Sequence, residues 1–285
     1  MAEQKDWAFP AELRPKPEDW RFDLDRALDA VVQLRSEIPE DAFTAPLLGT
    51  ERAGNGVVIR DDGLVQATGE LGVRAIPRGS ASSCRVGENV VVAGHGGRAH
   101  ALKATVFAKR EFAGYWEYVL DEAVYTAPAH PQWGGSALIG AEGKLLALGS
   151  LLVQEKVDGG ILQGNMLVPI DLLEPILDEM QRLGRSARPA RPWLGLYATE
   201  AGARLVVAGL APGGPAEQAG VKVGDVLIDV GGDKPATLAD LWRKIWKLGA
   251  PGVEVPLKLF RKDRAVSLRL RSADRNDFLK KPHLH

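Results

Sequence analysis

The stretch Arg191-Pro192-Trp193-Leu194-Gly195-Leu196, answered downstream by Ala211-Pro212-Gly213-Gly214-Pro215-Ala216, decides how the last third of the chain reads. Leu194 to Ala198 and Arg204 to Ala208 have strand composition. The Pro-Gly run between them and a short Ala216 to Ala219 helix is a turn, because glycine and proline supply the dihedrals that a reversal needs. Asp225-Val226-Leu227-Ile228 is a third strand. Thr237 then caps a helix on which Leu238, Leu241, Trp242, Ile245 and Leu248 recur at helical spacing, and Gly249 ends it. Val253 to Phe260 and Ala265 to Leu270 form a hairpin across Lys262-Asp263. This unit covers residues 193–272, with a polar, loose tail over 273–285. Gly184 to Pro192, where Arg185, Arg188 and Arg191 alternate with Ser and Pro, contains the linker, placed at 185–192.

Upstream the signal is mostly β. Residues 1–22 carry Pro10, Pro15 and Pro17 among charges and the aromatics Trp7, Phe9 and Trp20, a composition that favours an extended, adhesive arm. A short helix over Asp23 to Ala30 gives way to strand character at Val31 to Leu34. Gly56-Val57-Val58-Ile59 and Leu64-Val65 read as strands across the Asp62-Gly63 turn. Asn89 to Ala93, Ala101 to Ala108, Tyr115 to Leu120, Ser136 to Ile139, Leu145 to Leu152 and Asn165 to Val168 follow at spacings that suit a barrel. Ile170 to Leu183 carries a helical stripe that closes this unit, placed at 23–184.

Composition narrows the function classes. In 285 residues, 36 basic and 37 acidic side chains leave a net charge of −1, so no global positive field draws nucleic acid or an anionic membrane. One cysteine, Cys84, excludes an internal disulfide and a Cys-rich zinc site. His95 and His100 lack a third ligand and read as loop residues, and no cofactor is expected. The apolar run Leu145 to Val153 is too short to span a bilayer, which needs roughly 20 residues. The N-terminus has no continuous apolar segment of secretory type, so a cytoplasmic location is expected.

The second unit resembles a PDZ domain of the HtrA/Deg family, on the residues quoted above together with Ala219-Gly220, Gly224-Asp225-Val226-Leu227 and Gly231-Gly232. The resemblance implies a peptide groove. The Leu194-Gly195-Leu196 loop offers backbone N–H groups to a carboxylate, and the following strand edge pairs with an extended peptide beside a helix bearing Leu241, Trp242 and Ile245. Those helix residues serve equally well as core.

The first unit is similar to the trypsin-like protease domain of the same family. Gly54-Asn55-Gly56-Val57-Val58-Ile59 is similar to the strand before the catalytic histidine, and Arg85 to Val91 to the strand opening the second barrel. Ala129 to Leu138 resembles the nucleophile loop, and Gly164 to Ile170 the strand entering the closing helix. A serine peptidase needs an activated hydroxyl and a base within hydrogen-bond reach. Laid ungapped on His130-Pro131-Gln132-Trp133-Gly134-Gly135-Ser136, the family loop puts Gly134 at the nucleophile position, and the histidine position falls on Glu70. Ser136 with His130 is the displaced alternative, with His95 and His100 as further bases. Asp61 or Asp62 is either the acid or a turn residue. Trp116 and Trp133 either fill a substrate cleft or are ordinary aromatics.

Gly63 to Arg85 is too short for two barrel strands, so about forty to fifty residues of the first barrel are missing, judged by strands of about five or six residues. The expected fold is mainly β, a trypsin-like (chymotrypsin-fold) β-barrel domain with an incomplete first barrel, followed by a PDZ domain. The expected function is a pseudoprotease that binds extended or C-terminal peptide segments in protein quality control or recruitment. An active endopeptidase with displaced residues and a structural homo-oligomer joined through the N-terminal aromatics are the alternatives.

Overall fold

The run Val90-Val91-Val92-Ala93 is apolar throughout because both faces of its strand are buried. Val90 and Val92 point into a barrel interior with Leu102, Val106, Leu138 and Leu167, while Val91 and Ala93 pack outward against Leu24, Leu28 and Val31. Full burial of such a side chain is worth about 1.5–3 kcal/mol, so this strand anchors two cores at once. The computed structural model describes residues 7–40, 45, 49–60, 73–157 and 159–279.

The chain divides into two units. In the first, Asp23 caps α1 (Leu24–Asp29) by accepting from the Arg26 N–H at 3.1 Å. Strands β1 (Val31–Glu37) and β2 (Glu51–Val57) pair as an antiparallel ribbon. β3 (Asn89–Ala93), β4 (Ala101–Gly114), β5 (Tyr118–Ala127), β6 (Ala137–Ile139), β7 (Leu145–Val157) and β8 (Gly160–Pro169) close a barrel in the order β3-β4-β5-β8-β7-β6. Among the described residues, then, one barrel is complete and the other is represented by the ribbon. β2 takes β1 as a partner, while the expected pairing across the Asp62-Gly63 turn falls on Asp61, Asp62, Leu64 and Val65, which with Glu70 lie outside the described residues.

Two further expectations change. The closing helix is broken into 3₁₀ turns at Ile170–Leu172 and Glu174–Ile176 before α2 (Leu177–Leu183), because Pro175 has no N–H to continue the ladder. The N-terminal arm is not free. Phe9 is buried, its N–H bonds the Ala99 carbonyl at 3.0 Å, and Trp7 packs on the barrel interior cluster.

The described part of the second unit comprises residues 187–279 together with 40, 45 and 111–121, the last being the tip of the β4–β5 hairpin. Its sheet runs β13-β12-β11-β10-β9, from β9 (Leu196–Ala201), β10 (Arg204–Leu210), β11 (Val226–Val230), β12 (Glu254–Arg261) and β13 (Arg264–Arg271). Helices α3 (Pro215–Gln218) and α4 (Leu238–Lys247) complete it, with Thr237 capping α4 through the Asp240 N–H. Leu194 and Gly195 form a loop rather than the first residues of β9. The described tail residues, 273–279, fold against this unit. Trp193 and Ala273 exchange both backbone hydrogen bonds, and Phe278 packs on the Trp193 ring at 4.7 Å.

Among the described residues no helix is long and apolar enough to cross a membrane.

Candidate functional site

The groove of the second unit is built from the pairing of its two quoted motifs. The carbonyls of Leu194 and Gly195 accept from the N–H groups of Ala216 and Ala211, each at 2.8 Å. With the carbonyls so anchored, the loop holds its own N–H groups toward the open side. Gly195 takes φ +70°, a left-handed conformation that favours glycine. β9 is the end strand of its sheet, and alternate residues on a strand present N–H groups to the same edge.

That edge is occupied by the chain itself. The Glu117 carboxylate accepts from the Leu194 N–H at 3.1 Å and the Leu196 N–H at 3.0 Å, with the Gly195 N–H contributing to the same carboxylate. Two residues along, the Ala198 N–H donates to the Tyr115 carbonyl at 3.0 Å. From the helix side, Trp242 Nε1 donates to the Gly114 carbonyl at 2.9 Å. Arg243 on α4 forks between Glu111 (2.5 Å) and Asp121 (2.6 Å), one on each arm of the hairpin. Ala113 and Val119 pack on the core beneath.

Withdrawal of the Glu117 carboxyl from water pushes its pKa up to about 7, against the lowering effect of the three backbone donors and of the nearby Arg275. Its backbone also sits at φ +61°, a conformation uncommon outside glycine.

The barrel cleft is organised differently. Asn55 ties β2 to the 130–136 loop, its Nδ2 donating to the carbonyls of Gln132 (2.8 Å) and Gly134 (3.1 Å). Its Oδ1 accepts from the His95 N–H at 2.9 Å and lies 2.7 Å from His95 Nδ1. Gly135 approaches so closely, at φ +73°, that a Cβ would run into the Asn55 carbonyl oxygen. At Gly134 a Cβ would meet open space.

Ser136 is fully buried and its hydroxyl donates to the Trp133 carbonyl at 3.0 Å. His130 is also fully buried. Its Nδ1 accepts from the Gln132 N–H at 3.1 Å, which leaves Nε2 as the donor to the His100 carbonyl at 2.9 Å. Burial, then the neighbouring His100 and His95, holds its imidazole below the ordinary range despite the His100 carbonyl bond. The displaced pair of Ser136 and His130 is therefore engaged in structural bonds. His100 is likewise held, between the carbonyls of His95 (2.7 Å) and Trp7 (2.5 Å). No group of three metal-ligating side chains occurs among the described residues.

A PDZ-domain family profile matches residues 184–271. The chain is 24% identical to the serine protease Do-like HtrB of Bacillus subtilis over 252 residues, covering 79% of this chain and 52% of that protein. It is 29% identical to the serine protease PepD of Mycobacterium tuberculosis over 237 residues, 76% of this chain and 48% of that one. The chain thus spans about half the length of these curated relatives. Among solved structures, an HtrA-type protease AlgW variant with a tripeptide superposes with a TM-score of 0.50 at 17% identity, covering 88% of this chain and 96% of that chain.

This chain is a homologue of the HtrA/Deg serine proteases with a PDZ domain.

Of the groove residues read from sequence, Leu194, Gly195 and Leu196 form the PDZ loop whose amides meet the carboxylate. Leu241 and Ile245 lie entirely in the core, and Trp242 shares that core while its ring N–H reaches the groove occupant. Trp116 belongs to the hairpin tip, stacked on Tyr118 at 5.9 Å, whereas Trp133 lines the barrel cleft with Asn55 and His95. Glu117, Tyr115 and Arg243 were not foreseen. The signal open to inspection was the acid set among three aromatics, Tyr115-Trp116-Glu117-Tyr118, at the point where two strands reverse.

Proposed function

We propose that this chain is a non-proteolytic HtrA/Deg-like protein that binds extended or C-terminal peptide segments in its PDZ groove, in protein quality control or recruitment, with the barrel as scaffold. The observation that carries the reading is the row of amides at Leu194, Gly195, Leu196 and Ala198 satisfied by a carboxylate and a strand-like carbonyl. That is the bonding pattern by which a strand edge takes up an extended peptide. Gly134, at the nucleophile position, has no hydroxyl, and Ser136 and His130 spend their polar atoms on backbone partners.

The catalytic half is tested with casein and a fluorophosphonate probe on the native chain and on Ser136→Ala. The expected result is no turnover and no labelling in either. Turnover or labelling that disappears in Ser136→Ala would establish the endopeptidase instead. The binding half is tested with a library of decapeptides bearing free C-termini, offered at saturating concentration. Selective enrichment is expected, absent when the library is amidated; equal recovery from both libraries would overturn the reading.

A further inference from the structure

The groove is filled by residues 112–119, so a peptide-binding function has to account for what already sits there. We propose that the β4–β5 hairpin tip is a built-in ligand of the PDZ groove, with the Glu117 carboxylate standing in for the terminal carboxylate of a partner peptide that must displace it. This rests on the peptide-binding reading given above and specifies its regulation.

Three observations on separate groups support it. The first is the carboxylate itself, bonded to the Leu194 and Leu196 amides of a buried loop; leaving such donors unmet is costly, so the tip fills a site that demands an anion or acceptor. The second is the main chain. Tyr115 extends the sheet at β9, and Gly114 takes the Trp242 N–H, so the tip lies between strand edge and helix. The third is the conformation of Glu117. At φ +61° it takes the left-handed position that closes a three-residue hairpin loop, and from there its carboxylate reaches the Leu194 and Leu196 amides.

The occupant also defines the competitor. It is an extended segment, with an acceptor carbonyl for Ala198 and a free carboxylate for the Leu194-Gly195-Leu196 loop. Such a ligand binds only the chain whose tip has left the groove, so its apparent affinity falls by the fraction of chains in that open state. Weakening the tip therefore strengthens the partner.

The test uses the full chain and a fluorescent pentapeptide of the tip sequence, Phe-Ala-Gly-Tyr-Trp, with a free carboxyl end, beside its C-terminal amide. Anisotropy titrations compare the native chain with Glu117→Ala, which removes the acceptor that the Leu194 and Leu196 amides use, and with Arg243→Ala, which loosens the tip without altering the loop. At least a tenfold gain in affinity for the free acid is expected in Glu117→Ala and a smaller gain in Arg243→Ala, with the amide remaining the weaker ligand of every chain. Hydrogen exchange of the Leu194, Leu196 and Ala198 amides, followed without peptide, is expected to speed up in both variants while β12 and β13 stay protected, which also shows that they fold.

Equal affinity for the free acid in all three chains would sink the tethered-ligand proposal and leave peptide binding standing. Absence of binding to every chain would also sink it, and the peptide-binding reading would then be judged by the decapeptide library alone.

Discussion

The barrel cleft and the PDZ groove meet their polar groups in opposite ways. In the cleft, the described candidates of the 130–136 loop are turned inward: Ser136 serves Trp133, His130 serves Gln132 and His100, and Asn55 laces β2 to the loop. In the groove, backbone groups are aimed outward and satisfied by a segment distant in sequence. The lesson is that a hydrogen-bonded polar residue is informative only when its partner is known. The same Ser or His reads as chemistry in a sequence and as masonry in a fold.

The contrast can be broken first at Trp242. Fully buried in the PDZ core, it is expected to cost about 3–5 kcal/mol on truncation to Ala, seen as an early transition of the second unit in denaturant. A loss below about 1 kcal/mol would mean that its ring only lines the groove and does not hold the domain together.

Next comes Asp225, almost completely buried and held by Arg261 through two 2.6 Å bonds, with the Lys222 N–H at 2.8 Å. Burial opposes its charge, but Arg261 and the Lys222 amide outweigh it and keep the carboxyl below its ordinary value of 3.8. Its contribution is therefore present above pH 3.8 and lost as pH falls through the lower folded value. Asp225→Asn is expected to cost about 3 kcal/mol at neutral pH and to flatten the acid limb of stability against pH.

A smaller effect sharpens the groove side. Glu117 has a folded pKa of about 7 against an ordinary 4.5, so the docked tip favours the proton. Docking is strongest below pH 4.5 and weakens as pH rises through 7, by at most about tenfold per unit. Of the ionisable neighbours, Arg275 favours the charged form, burial pushes the Tyr197 phenol above its ordinary value, and Arg243 holds Glu111 and Asp121 in ion pairs along the hairpin arms. Exchange of the Leu194 and Leu196 amides, corrected for its intrinsic pH dependence, should show this slope in the native chain and not in Glu117→Gln.

The smallest change is expected at Gly134→Ser. Open space receives its Cβ, so stability should shift by less than about 0.5 kcal/mol, and casein should remain intact because His130 is already committed.

What the sequence disclosed follows the range of the interactions involved. β3 and the Thr237-capped helix were legible because burial on both faces and a helical stripe are periodic, local signals. The Leu194-Gly195-Leu196 loop was legible only through the resemblance of its motif to a PDZ domain, since strand composition alone ran the strand back to Leu194, two residues before it begins. The continuous helix over 170–183 failed at Pro175, where apolar periodicity outvoted a missing donor. Glu117 was invisible for another reason. Its partners are 77 and 79 residues away, and nothing in Tyr115-Trp116-Glu117 by itself says which amides it will meet.

One consequence follows from the tip being continuous with β4 and β5. A segment joined to its own site is present there at an effective concentration of about millimolar, however dilute the protein. A free peptide at about micromolar concentration must then outbid it by about a thousandfold in intrinsic affinity to hold half the grooves. The hairpin thus acts as a concentration filter, passing over the many weak chain ends of a crowded solution and yielding only to a tight or locally abundant one.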